Sequence, residues 1–124
     1  MQRDEMKVFC QNLIINRIVF ERNMKEMDNS GIELSIVPKV AQNRDENNKR
    51  VRLETEIIIG EKGKTSFWCE MNIISILSWS GETHNFDEEI IRLGIPYVMS
   101  FARVKVIELC QQAGVKPVYL PELE

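Results

Sequence analysis

The run RVRLETEIIIG at 50–60 decides the fold. Val51, Leu53, Thr55, Ile57 and Ile59 alternate with Arg50, Arg52, Glu54, Glu56 and Ile58, the period of two expected of a β-strand with one buried face. GEKGK at 60–64 then supplies two glycines for a tight reversal. Beyond it Phe67, Cys69, Met71, Ile73, Leu77 and Trp79 again share one parity. Together the two runs predict a hairpin with a long second strand. Upstream, Ile32, Leu34, Ile36 and Val40 give another alternating run, and AQNRDENNK at 41–49 is too polar to be anything but a loop, so a further hairpin precedes the first. VFCQNLIINRIVFERN at 8–23 is apolar on both parities, which predicts a strand covered on both faces for part of its length; a helix is the alternative reading.

Downstream, SGETHNFDEE at 80–89 is the only later polar stretch long enough to cross the molecule, and GIPYVMSFARVKVIELCQQAG at 94–114 has helical period. Met99, Ala102, Val106, Leu109, Cys110 and Ala113 fall on one stripe, with Pro96 suited to a first turn and Gly114 to a stop. The expected order is strands at about 7–21, 31–42, 49–60 and 64–79, a crossing loop at 80–94, a long helix at about 95–113 and a tail at 114–124. This is a single α+β domain: a four-stranded antiparallel meander with C-terminal helices packed on one face. Phe101 and Val104 sit across the helix from that stripe, among Ser100, Lys105 and Glu108. A helix apolar on two sides has two neighbours, so Phe101, Val104 and Glu108 are candidates for an interface with a second copy; an isolated exposed phenylalanine is the plainer reading. Arg103, at the edge of the stripe, either snorkels outward or pairs with a buried carboxylate.

The composition of the 124 residues, 44% hydrophobic and 28% charged, is that of one globular domain. A net charge of -3 argues against nucleic acid or anionic lipid as partner. Cys10, Cys69 and Cys110 are odd in number and far apart, which suits buried thiols in a reducing compartment. No apolar run approaches the length of a membrane span and MQRDEMKVF at 1–9 has no apolar leader core, so a cytoplasmic protein is expected. Catalysis has little to work with. His84 is the sole histidine, no closely spaced metal ligands exist, and GEKGK joins two strands instead of opening a phosphate-binding helix. Asp87, Glu88 and Glu89 read as acids favouring a first helical turn, not as paired catalytic acids. Neither enzymatic activity nor a cofactor or metal is expected.

Four fragments in constant order resemble the SecB family of protein-export chaperones. FWCE at 67–70 and ILS at 76–78 are similar to that family's last strand, and Pro96 with Phe101-Ala102-Arg103 to the opening of its long helix. AGVKPVYL at 113–120 is similar to its following turn and tail, and RIVFERN at 17–23 to its first strand. The resemblance implies a homo-oligomer, dimer or tetramer, that holds unfolded polypeptide without ATP. Carried over by segment, the client groove is Ile74, Ile76, Trp79, Ile95, Tyr97 and Phe101. Glu21 and Glu70, with Trp68 as the apolar contact, match the outer sheet face on which the family docks the SecA motor. For Trp68 the plainer reading is a sheet-face aromatic packing on neighbouring strands.

Departures from the family pattern bear on the motor. Arg17 stands where the family has an acid, a second proline is missing between Pro96 and Phe101, and the family's flexible tail has no counterpart after YLPELE. Short SecB-like proteins lacking such features include chaperones dedicated to an antitoxin. The rival expectation is an adaptor of the same fold that binds one folded partner without general chaperone activity.

Overall fold

The computed structural model describes residues 5–24 and 32–120. Four strands, β1 (Lys7–Arg22), β2 (Leu34–Val40), β3 (Arg50–Ile59) and β4 (Phe67–Ser80), form one antiparallel sheet, and a single helix, α1 (Phe86–Ala113), covers one face of it. The sheet order is β1-β4-β3-β2. Strands β2 to β4 are the expected meander, while β1 lies beside β4 instead of β2. Residues 121–124 of the expected tail, and Gly31 at the expected start of β2, lie outside the described residues.

β3 and β4 bury every second residue, as their sequence alternation requires: Val51, Leu53, Thr55, Ile57 and Ile59 on one, Phe67 to Trp79 by odd numbers on the other. β1 behaves differently. Its register against β4 shifts between Cys10 and Asn12 and again between Ile15 and Arg17. Each shift inserts one residue and reverses which parity faces the helix. Val8 and Cys10 thus face the helix, then Leu13 and Ile15, then Ile18 and Phe20, each opposite an odd residue of β4. The apolar residues on both parities, expected to mean a strand covered on both faces, are one inner face twice re-phased by bulges.

The helix starts at Phe86, not near 95, and the expected crossing loop at 80–94 shrinks to the link at 81–85. Asp87, Glu88 and Glu89 lie in its first turn, where carboxylates complement the N-terminal dipole. Pro96 is therefore inside the helix and not in its first turn. The missing N–H forfeits one backbone bond, but Ile90, Gly94, Ile95, Val98 and Met99 are buried on either side, so packing carries the helix through. Gly94 marks the closest approach to the sheet: a Cβ there would lie 2.6 Å from Leu77 Cδ1 and 3.1 Å from Leu53 Cδ2. At the other end Gly114 takes a left-handed conformation, φ 69°, and the Val115 N–H donates to the Cys110 carbonyl at 3.0 Å. The last turn contains no basic residue of its own. Arg22 of β1 supplies the cation, donating from Nη1 to the Ala113 carbonyl at 3.0 Å. One C-terminal helix is present among the described residues where more than one was expected; the chain after it folds back, burying Leu120 and packing Val115 and Val118 on the core.

Between sheet and helix the core is nearly all apolar. Of two buried hydroxyls, Ser75 Oγ donates to the Leu53 carbonyl at 3.1 Å, and Thr55 Oγ1 has no partner.

Candidate functional site

With α1 on one face, no helix or strand among the described residues covers the opposite face of the sheet, and the strand register fixes what it displays. Reading across β1, β4 and β3, its rows are Phe9, Ser78, Arg50; then Asn12, Ile76, Arg52; then Ile14, Ile74, Glu54. Lys39 of β2 completes the third row beside Glu54, and the next row is Arg17, Asn72, Glu56 and Val37. The far end carries Val19, Glu70 and Ile58, then Glu21 and Trp68.

Phe9 is 53% and Ile14 46% exposed, two large apolar side chains on one face of β1, two rows apart with Asn12 between them. With half-buried Ile74 directly opposite Ile14, and Ile76 one row on, they form an apolar strip across β1 and β4. Its flank on β3 and β2 is basic. A cleft of about 350 Å³ opens there between Lys39, Arg52 and Glu54 and the segment at 41–43. Glu54 accepts from Asn72 Nδ2 at 3.0 Å, and Asn72 Oδ1 accepts from Asn16 at 3.2 Å, so this amide chain separates the strip from the acidic end.

The six residues expected to make one groove are on two faces. Ile74 and Ile76 have even parity on β4 and point outward, whereas Trp79 is odd and points under the helix. Trp79 is 7% exposed, meets Phe86 edge-on at 4.8 Å and lies 5.9 Å beneath Lys49 Nζ; it is a core residue, as is Ile95. Arg44 covers the other ring of that pair, its guanidinium 3.8 Å above Phe86. Tyr97 and half-buried Phe101 belong to a helical stripe with Val104 and Glu108, spaced by one turn each. The stripe borders β1, since Tyr97 Oη donates to the Val8 carbonyl at 3.0 Å. Phe101 packs partly on the subunit's own core, so it does not stand across the helix from it as expected; Val104 is 58% exposed and Glu108 receives Lys105 at 3.3 Å.

Glu21, Trp68 and Glu70 are brought together on the outer face, but their charge is met from within the chain. Arg17 reaches Glu70 at 3.1 Å, and Lys62 reaches Glu21 at 3.6 Å while standing 5.8 Å over the Trp68 ring. Exposed pairs of this kind contribute little to stability, yet they cancel the field that a cationic partner would feel. All three cysteines are unpaired thiols. Burial, with Cys110 and Glu70 adding, pushes Cys69 up to about 12, and burial raises Cys10 and Cys110 as well, which leaves the thiolate, the reactive form, scarce. His84 is exposed between β4 and α1. Among the described residues no group of three or more metal-ligating side chains converges, and no helix is long and apolar enough to cross a membrane.

Phe9 and Ile14 were not singled out for this site by the sequence; finding them needs the bulges that put them on one face with Ile74 and Ile76.

A β1-β4-β3-β2 sheet with one long helix across it is the SecB-like fold. No family model matches the chain, and no curated protein is significantly similar to it. Among solved structures it is similar to the SecB-like chaperone Rv1957 of Mycobacterium tuberculosis, solved in complex with a ChAD peptide from the HigA1 antitoxin Rv1956. The TM-score is 0.68 at 12% identity, covering 95% of this chain and 91% of that one. It is also similar to a protein of unknown function from Streptococcus agalactiae, with a TM-score of 0.56 at 14% identity, covering 95% and 99%.

Proposed function

We propose that this chain is a SecB-like chaperone that binds extended segments of other polypeptides without ATP, holding them on the outer face of its sheet. The observation that carries the reading is the pair of exposed side chains Phe9 and Ile14 on the outer face of β1, bridged along β4 by half-buried Ile74 and Ile76. Covering each of these side chains with client apolar groups is worth about 1 kcal/mol before ordering costs, so binding would be reversible and spread over several contacts. The fold shared with an antitoxin-binding chaperone supports a dedicated client as natural partner over export. The neutralised Glu21, Trp68 and Glu70 end argues the same way, because a SecA-like motor would meet little free negative charge there.

The test is light scattering of a chemically unfolded, reduced client on dilution, with no nucleotide present. The wild-type protein should suppress aggregation near stoichiometric ratio, and Ile14→Asp should lose that suppression while keeping its thermal midpoint, since Ile14 is half exposed on an edge strand. No suppression by the wild type at large excess would favour the adaptor with one folded partner; equal suppression by Ile14→Asp would move the site off this face.

The stripe of Tyr97, Phe101, Val104 and Glu108, together with the exposed Ile18 on the neighbouring edge strand, is the proposed contact with a second copy, in a dimer or tetramer. Val104→Glu should lower the mass found by sedimentation equilibrium. An unchanged mass would place the interface elsewhere.

A further inference from the structure

Resting on the reading that the outer sheet face receives polypeptide, we infer that this face is selective for acidic amphipathic segments, whose apolar side chains lie on Ile14, Ile74 and Ile76 while their carboxylates meet Arg52 and Lys39. The register puts Arg52 beside Ile76, and Lys39 one strand beyond Glu54 in the row of Ile14 and Ile74. Along the strands the patch spans about 14 Å, the length of three rows at two residues each. Across them it passes from apolar on β1 and β4 to basic on β3 and β2. An extended segment lying there meets both halves at once.

The two cations are available in a way that the rest of the face is not. Arg17 and Lys62 are engaged with Glu70 and Glu21, and Arg50 shares the field of Asp45. Among the described residues neither Arg52 nor Lys39 lies within ion-pair distance of a carboxylate. Glu54, the acid between them, is turned toward the Asn72 amide. The cleft walled by Lys39, Arg52 and Glu54 has room for a carboxylate beside the two cations, Glu54 being held by the Asn72 amide.

A second copy is a poorer occupant. On the same face of a second copy Glu70 and Glu21 are already paired internally by Arg17 and Lys62. The chain's net charge of -3 does not override the local preference, because screening limits each charge to about 10 Å at ordinary ionic strength.

Two fluorescein-labelled peptides decide the matter, identical in their alternating leucines and phenylalanines but carrying glutamate or lysine between them, titrated by anisotropy against the intact protein. The glutamate peptide should bind about tenfold tighter at low salt, with the gap narrowing as salt is raised. In the double variant Arg52→Glu, Lys39→Glu the preference should vanish or reverse, and Ile14→Asp should weaken both peptides. Equal affinity for the two peptides, or a preference untouched by the double charge reversal, overturns the selectivity while leaving polypeptide binding in place. Binding of both peptides indifferent to Ile14→Asp would overturn the outer-face reading itself. A lower sedimentation mass for the double charge variant would make a second copy the occupant and overturn the peptide assignment.

Discussion

Trp79→Asp should unfold the subunit, not merely silence it. The indole is where three parts of the chain close on each other. It lies edge-on to Phe86 at the start of α1, its backbone N–H donates to the Lys49 carbonyl at 3.1 Å, and the Lys49 ammonium stands over the ring. Removing a buried aromatic costs about 3–5 kcal/mol, and a carboxylate in its place adds the cost of desolvation. Lys49 and Arg44 are near enough to recover part of that second cost, but neither can refill the space. Small domains have a total stability of about 5–15 kcal/mol, so the loss consumes a large share of it. Urea titration followed by far-UV circular dichroism should show a much lower midpoint, and Trp79→Phe, which keeps an aromatic edge for Phe86, should fall between the two. A native midpoint for Trp79→Asp, with client binding lost, would return Trp79 to the binding surface where its sequence neighbourhood had placed it.

The misplacement of Trp79 shows how far the sequence could be read. The alternation in 50–59 and 67–79 is strong enough to fix two strands, their pairing and their inner faces, and the same parity that puts Phe67 and Leu77 inside puts Trp79 with them. Ile74 and Ile76 have the opposite parity, so a groove containing all three was already at odds with the pattern; segment resemblance does not resolve which face a residue takes. β1 was opaque for a different reason. Bulges leave no local signature in VFCQNLIINRIVFERN, and only the partner strand shows that Phe9 and Ile14, of opposite parity, share one face while Ile14 and Ile18, of the same parity, do not. The start of α1 was misjudged because Pro96 is a strong local signal for a helix beginning, and the burial of Ile90, Gly94 and Ile95 outweighs it. The basic flank of the outer face was invisible as well: Lys39, Arg50 and Arg52 are ordinary exposed charges until the register lines them up beside Ile74 and Ile76.

Gly94→Val should be the second large loss, and its origin can be isolated. In a helix interior valine normally beats glycine on backbone entropy by a few tenths of a kcal/mol. Here the added Cβ would sit 2.6 Å from Leu77 Cδ1 and 3.1 Å from Leu53 Cδ2, both in the fully buried centre of the core, and its two methyls need space as well. Overpacking of this kind costs about 1–3 kcal/mol, the upper end applying where both neighbours are hemmed in. Leu77→Ala alone should cost about 2–5 kcal/mol through the cavity it leaves. In that background, however, Gly94→Val should be nearly neutral, because its methyls enter the space the leucine vacated. A double-mutant cycle on chemical denaturation should therefore give a coupling of about 1–3 kcal/mol, whereas additive losses would mean that something other than this contact demands glycine. Leu53 and Leu77 stand back to back with Arg52 and Ile76, one residue away in sequence and on the opposite face. Pressure from α1 at Gly94 is thus applied to the two strands that display the proposed peptide surface, and the folded fraction of Gly94→Val should bind the glutamate peptide more weakly than the wild type only if the sheet itself yields in place of the helix.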